Sequence, residues 1–278
     1  MSNSLLRILT ALVGIPVVLG AAYLGGWPFA VVVGGIALVG QQELYGMMEK
    51  GGMRPHRKAG SVMGALLVTR PMNPFELDLA VGLALTFFLG YLAYTTFFDD
   101  DDRAPLPNLS GTLFGVIYPP AVLATLLDLR QIGGETHDHE AFLVVLAAFV
   151  LIWLTDTSAY YVGKNLGRRS LAPDISPNKT WAGLFGGASG ALVGGVALKA
   201  LLLPFLAWPH LVVVALICGV LSPLGDLTES RFKRSVEVED SGDILPGHGG
   251  LLDRFDALLL AVPLVYLYLE YVARLFST

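Results

Sequence analysis

Charge is scarce in this chain: of its 278 residues only 15% are Asp, Glu, Lys or Arg, against 54% hydrophobic. Soluble domains carry about a quarter of their residues as charges, so this balance and a mean hydropathy of +0.63 exclude an ordinary soluble globule. Cysteine is nearly absent. Cys218 is the single one, set in an apolar run, which rules out an intramolecular disulfide, and with five histidines beside it a zinc site fits poorly. No period-2 alternation of the kind a transmembrane barrel needs is visible, and no repeat of 20–50 residues. No cleavable leader is expected: the only charge near the start of Leu5 to Leu24 is Arg7 and a poor cleavage site follows, so the segment reads as a first membrane helix. The net charge of −5 is diluted over the chain, and no nucleic-acid partner is expected.

What the chain does have is apolar length. Segments near 5–25, 28–48, 59–72, 77–98, 112–129, 141–162, 181–203, 209–226 and 254–275 are apolar, and runs of about 20 such residues suit helices crossing a hydrocarbon core of about 30 Å. The expected fold is all-α: a polytopic helical membrane protein of about nine transmembrane helices with cytoplasmic catalytic loops. The 59–72 segment is the weakest, because its clearly apolar part is short and ends in Arg70, Pro71 and Pro74. The 32 glycines suit close packing of membrane helices. With nine crossings, loops 49–60, 99–111, 163–180 and 227–250 share one side. Lys50, Arg54, Arg57 and Lys58 lie in the first of them, and Lys164, Arg168, Arg169 and Lys179 in the third, which makes that side the cytoplasm. The acidic run Asp99 to Asp102 reads as a solvated loop. Residues 1–278 are expected to form a single integral membrane domain, with an apolar N-terminal half at 1–140 and a catalytic half at 141–278.

Two polar stretches interrupt this pattern. The first, DTSAYYVGKNLGRRSLAPDISPNKTW at 156–181, places Asp156 near the end of an apolar helix ahead of Lys164, Arg168, Arg169 and Lys179. Ser176, Asn178, Lys179 and Thr180 come just before a helix, where free N–H groups and the dipole favour phosphate. Ser-Pro-Asn is also ordinary turn chemistry, so this stretch alone decides little. The second, at 226–256, opens with Asp226 and closes with Asp253, Arg254 and Asp256. Aspartates three apart on a helix share a face, so Asp253 and Asp256 can point toward one pocket. Capping of the helix start would account for two aspartates. It would not account for Asp226, Asp240, His248, Lys233, Arg234 and a Pro-Gly-His-Gly-Gly turn as well. Hard carboxylate oxygens suit Mg2+, which keeps positions open for substrate phosphates. His248 could serve as a base, a phosphate donor or a turn residue.

The combination resembles the phosphatidate cytidylyltransferase family, the CDP-diacylglycerol synthases. Its signature is matched by Ser230, Lys233-Arg234, Asp240, Pro246-Gly247-His248-Gly249-Gly250 and Asp253-Arg254-Phe255-Asp256. Upstream, Asp156-Thr157-Ser158-Ala159-Tyr160, Gly163-Lys164 and Ser176 to Trp181 extend the match over the last half of the chain. Where the family has lysine before the signature aspartate, this chain has Glu239. The resemblance implies a nucleotidyltransferase of phospholipid biosynthesis in the plasma (inner) membrane of a bacterium, its active site facing the cytoplasm. It would join CTP to phosphatidic acid in the lipid bilayer, give CDP-diacylglycerol and pyrophosphate, and use Mg2+, with room for a second cation. Metal ligands would be Asp226, Asp253 and Asp256, with Asp156 and Asp240. Catalytic residues would be these first three with Lys233 and His248, and substrate would be held by Ser176, Asn178, Lys179, Lys233, Arg234 and Arg254. The resemblance also suggests a homodimer. Two other readings are a CTP-dependent transferase with another lipid acceptor and a membrane transporter; the latter would place its charges at the membrane midplane instead of in loops and helix ends.

Overall fold

The computed structural model describes residues 3–72, 77–98, 104–244 and 249–276, and helices dominate it. In chain order they are α1 (Asn3–Leu24), α2 (Gly26–Lys50), α3 (Arg57–Val68), α4 (Leu77–Phe98), α5 (Pro105–Val116), α6 (Val122–Arg130), α7 (Asp138–Leu166), α8 (Trp181–Leu201), α9 (Trp208–Ser235) and α10 (Leu252–Leu267). A π-helical stretch, Ile117–Ala121, joins α5 to α6 at Pro119 and Pro120, where the missing N–H groups and the ring bulk forbid regular α-helix. Another, Tyr268–Val272, continues α10. Between α7 and α8 the 163–180 segment, expected as a loop, forms a small antiparallel hairpin of β1 (Ser170–Ala172) and β2 (Ser176–Thr180).

Six helical spans among the described residues are long and apolar enough to cross a membrane: Gly26–Lys50, Pro105–Arg130, Glu135–Leu166, Trp181–Leu201, Trp208–Ser235 and Leu252–Val272. The shortest has 21 residues, which at about 1.5 Å each matches a core of about 30 Å. The chain is thus an all-α, polytopic helical membrane protein. The nine expected crossings become six among the described residues. The 59–72 segment yields only the 12-residue α3 and a 3-10 turn at Arg70–Met72, too short for a full crossing. The described apolar part of α1, Thr10–Leu24, is also short. The 77–98 segment is helical as α4, but some of its side chains fall outside the described residues. With the count changed, simple alternation no longer assigns each loop to a side. The Asp99 to Asp102 run lies outside the described residues.

The chain forms two compact units, Met1–Ala124 with Ser235–Asp253, and Thr125–Arg234 with Arg254–Thr278. In the first, Met63, Phe88, Leu92 and Val116 form a buried cluster flanked by Ala59, Leu67, Leu109 and Leu113, which joins α3, α4 and α5. Polar groups lock α2 to the same helices. Gln41 Nε2 donates to the Gly60 carbonyl at 2.9 Å and to Tyr45 Oη at 3.1 Å, and Tyr45 Oη donates to the Thr112 carbonyl at 2.9 Å. A polar group in an apolar interior is costly unless bonded, so this chain of donors fixes the relative rotation of the three helices.

In the second unit small residues let backbones approach, as van der Waals packing between membrane helices requires. A Cβ on Gly187 of α8 would meet Thr155 Cγ2 of α7 at 3.0 Å, and one on Gly219 of α9 would meet Ala188 Cα of α8 at 2.7 Å. Thr180, the last residue of β2, caps α8 by accepting a hydrogen bond from Gly183 N at 3.0 Å. Buried Arg130 binds Asp138 through both guanidinium nitrogens, at 2.6 and 3.1 Å, and ties the end of α6 to the start of α7. These contacts set the positions of α7, β2 and α9, three of the elements that carry polar residues of this unit.

Candidate active site

α9 does not stop where its hydrophobicity stops. The 227–250 stretch, expected as a loop, begins with nine further helical residues, LTESRFKRS, which contain no glycine or proline. Residues four apart on this extension pair along one face: Ser230 Oγ donates to Asp226 Oδ1 at 3.2 Å, and Lys233 Nζ donates to Glu229 Oε2 at 3.3 Å. Glu229 is fully buried and Lys233 nearly so.

Three other elements of the second unit bring polar side chains to this face. From β2, Lys179 Nζ lies 2.6 Å from Asp226 Oδ2 as an ion pair. On α10, Asp256 is buried, accepts the Ala257 N–H at 2.7 Å, and is within reach of Asp226, Glu229 and Lys233. Asp156, on α7, interacts with Asp226 and Lys179. Gly225 permits the approach of α9 to α10, since a Cβ there would stand 2.5 Å from the Asp256 carbonyl oxygen. Four carboxylates therefore face two lysines, an excess of negative charge among apolar helices.

The first unit holds a separate set around the start of α10. Asp253 Oδ2 accepts hydrogen bonds from Ser241 N at 3.0 Å, Ser241 Oγ at 2.9 Å and Gly250 N at 2.9 Å. Asp240 is exposed and packs where a Cβ on Gly249 would stand, 2.9 Å from its Cγ; Gly249 has φ 75, a conformation glycine adopts without strain. Sequence reasoning missed Glu43 of α2, which is buried and accepts hydrogen bonds from Leu251 N and Leu252 N, each at 2.8 Å. Its only signal was an acid inside an apolar run. Glu229 was missed as well, although its spacing from Lys233 was readable.

Asp156 is exposed and Asp226 and Lys179 are half-buried, so only Asp256, Glu229 and Lys233 of the cluster are buried. Ser176 is half-buried and Asn178 exposed on β2, and Arg234, Glu239 and Arg254 are exposed. His248, Pro246 and Gly247 lie outside the described residues. Among the described residues no group of three or more His, Cys, Asp or Glu side chains is placed to hold a metal ion. The donor chemistry of Asp156, Asp226 and Asp256 suits a hard cation all the same: carboxylate oxygens with too few ammonium groups to neutralise them.

Long apolar helices carrying carboxylates and lysines in one polar cluster define a helical membrane protein with a polar site among its spans. Residues 5–272 match the model of the cytidylyltransferase family. A phosphatidate cytidylyltransferase of Synechocystis sp. is 33% identical over 288 residues, with 94% of this chain and 95% of the relative covered. One of Bacillus subtilis is 32% identical over 268 residues, covering 95% and 96%, and one of Staphylococcus aureus is 34% identical over 269 residues, covering 95% and 98%. The chain belongs to the phosphatidate cytidylyltransferase (CDP-diacylglycerol synthase) family. It is a nucleotidyltransferase enzyme of phospholipid biosynthesis, and the family generally requires a divalent cation such as Mg2+. Its apolar helices and bacterial relatives assign it to a bacterial inner membrane.

The buried Glu229–Lys233 pair gives a stability prediction. Removing one partner of a buried pair costs roughly 3–5 kcal/mol because the other charge is left uncompensated. Lys233→Met is expected to lower the thermal unfolding temperature of the detergent-purified protein sharply, and Glu229→Gln added to it to recover most of the loss. A single variant as stable as the double variant would contradict the pairing.

Proposed function

We propose that this chain transfers the cytidylyl group of CTP to the phosphate of phosphatidic acid, giving CDP-diacylglycerol and pyrophosphate. The observation that carries the reading is the cluster of four carboxylates and two lysines in a chain of this family. In the reaction a phosphate oxygen of the lipid attacks the α-phosphorus of CTP, and the bond from that phosphorus to the β-phosphate oxygen breaks. Both reactants are anions, so their approach depends on neutralisation. The lipid phosphate is already ionised near neutral pH and needs no dedicated base.

Residue by residue, Asp226, Asp253 and Asp256, with Asp156 and Asp240, are the proposed ligands of Mg2+. When bound, the metal supplies positive charge that draws electron density from the transferred phosphoryl group and from the leaving pyrophosphate. Lys179, paired with Asp226 through one contact, has further ammonium N–H groups suited to a phosphate oxygen of CTP. Lys233, held by Glu229, contributes charge from a fixed position. Ser176, Asn178, Arg234, Arg254 and His248 complete the proposed phosphate-binding set. Glu239, which stands where the family has lysine, is exposed and opposes the polyphosphate weakly. The single-domain organisation, the homodimer and a site open to cytoplasmic CTP belong to the proposal.

The direct test is pyrophosphate release from CTP by purified protein with Mg2+, with and without phosphatidic acid. Release is expected only with the acceptor, and Asp256→Asn is expected to reduce it at least a hundredfold while the protein stays folded. CTP turnover that ignores phosphatidic acid but responds to another lipid would replace the acceptor. No turnover with any lipid would overturn the reading.

The orientation has its own test. Single cysteines at Ser170 and Ser235, in a Cys218→Ser background, are expected to react with an impermeant thiol reagent from the cytoplasmic side only. Labelling of the two from opposite sides would contradict a cytoplasmic site.

A further inference from the structure

We infer that Glu43 is a positioning residue for the reaction, holding the start of α10, and with it Asp253, from a helix about 200 positions earlier in the chain. A glutamate inside an apolar span is costly unless its oxygens are bonded. Glu43 Oε1 accepts the Leu251 N–H at 2.8 Å and Oε2 accepts the Leu252 N–H at 2.8 Å, with the Ser241 hydroxyl oxygen 3.1 Å from Oε2. Every one of these donors comes from the segment that leads into α10.

The local sequence explains why the donors need a distant acceptor. A helix start leaves backbone N–H groups unpaired, and a nearby Ser, Thr, Asp or Asn ordinarily accepts from them. Here the residues before Leu252 are Gly249, Gly250 and Leu251, none with a side-chain acceptor. α2 supplies the acceptor instead. The glycines are the complement of that role: a Cβ on Gly242 would stand 2.8 Å from Glu43 Oε1, and one on Gly250 would stand 2.7 Å from Glu43 Oε2. Only residues without a side chain let the segment close on the carboxylate.

The network continues to Asp253 through Ser241, which is buried. Its hydroxyl lies 3.1 Å from Glu43 Oε2 and 2.9 Å from Asp253 Oδ2, and its N–H donates to the same Asp253 oxygen. The one hydroxyl proton serves one of the two carboxylates at a time, while the N–H stays on Asp253, so the serine seats both acids against the same turn. A carboxylate acceptor cannot be replaced by an amide here without turning an NH2 donor toward N–H groups, so Glu43→Gln disturbs the loop with little change in volume.

The inference rests on the proposed role of Asp253 at the metal and nucleotide, and the experiment separates the two. Full-length Glu43→Gln, Glu43→Asp, Ser241→Ala and Asp253→Asn are purified and assayed for kcat, the KM values of CTP and phosphatidic acid, the Mg2+ concentration for half-maximal rate, and thermal unfolding. Glu43→Gln is expected to lower kcat or raise the Mg2+ requirement roughly 10- to 100-fold, the effect usual for residues that orient a metal ligand. The KM for phosphatidic acid is expected to stay within about twofold, and Glu43→Asp to recover part of the loss. Ser241→Ala, which keeps the Glu43 bonds to Leu251 and Leu252, is expected to shift the same parameters by less. Should Glu43→Gln fail to fold, Ser241→Ala decides, and a parental Mg2+ requirement and kcat in it overturn the inference. A loss confined to thermal stability in Glu43→Gln overturns it too. Parental turnover in Asp253→Asn removes the role of Asp253 and the inference with it, whereas an inactive Asp253→Asn beside an unaffected Glu43→Gln overturns the positioning alone.

Discussion

A charge among membrane helices must be matched by a partner or a ligand, and the polar architecture of this chain follows from that constraint. Glu43 is matched by two backbone N–H groups and a hydroxyl, Glu229 by Lys233, and Asp226 by Lys179 and Ser230. Among the described residues one cluster brings exposed Asp156, half-buried Asp226 and buried Glu229 and Asp256 to Lys179 and Lys233, and carboxylate oxygens with that deficit of ammonium groups suit a hard cation. The same deficit that would destabilise a purely structural cluster gives an enzyme of this family a reason to bind metal and nucleotide together.

Much of the helical frame was legible from hydropathy. The segments at 28–48, 77–98, 141–162 and 181–203 correspond to α2, α4, α7 and α8 within a few residues. What misled was treating polarity as a helix end. α9 runs nine residues past Asp226 because the polar stretch contains good helix formers and its own i, i+4 pairs, and that carries Lys233 into a buried position on a helix. In the 163–180 stretch basic and turn residues point to a loop and hide the short hairpin that brings Lys179 to Asp226.

The candidate residues were legible as a set of chemical types, while their partners were not. Asp156, Asp226, Asp256 and Lys179 come from four elements of one unit, and sequence spacing carries no information about contacts across helices. The expectation that Asp253 and Asp256 share a pocket came from their spacing of three. The structure shows Asp253 bonded to Ser241 and Gly250 within the first unit and Asp256 among acids and a lysine of the second. Glu43 was invisible for a different reason: a lone acid in an apolar run gives no hint of the distant backbone it will cap.

The proposed role of the acid-rich cluster around Asp226 is to hold a divalent cation with the nucleotide. Calorimetric titration of CTP into detergent-purified protein, with and without Mg2+, tests it most directly. Saturable binding that needs Mg2+ and is lost in Asp226→Asn is expected. Binding of equal strength without a divalent cation, or unchanged in Asp226→Asn, would contradict it.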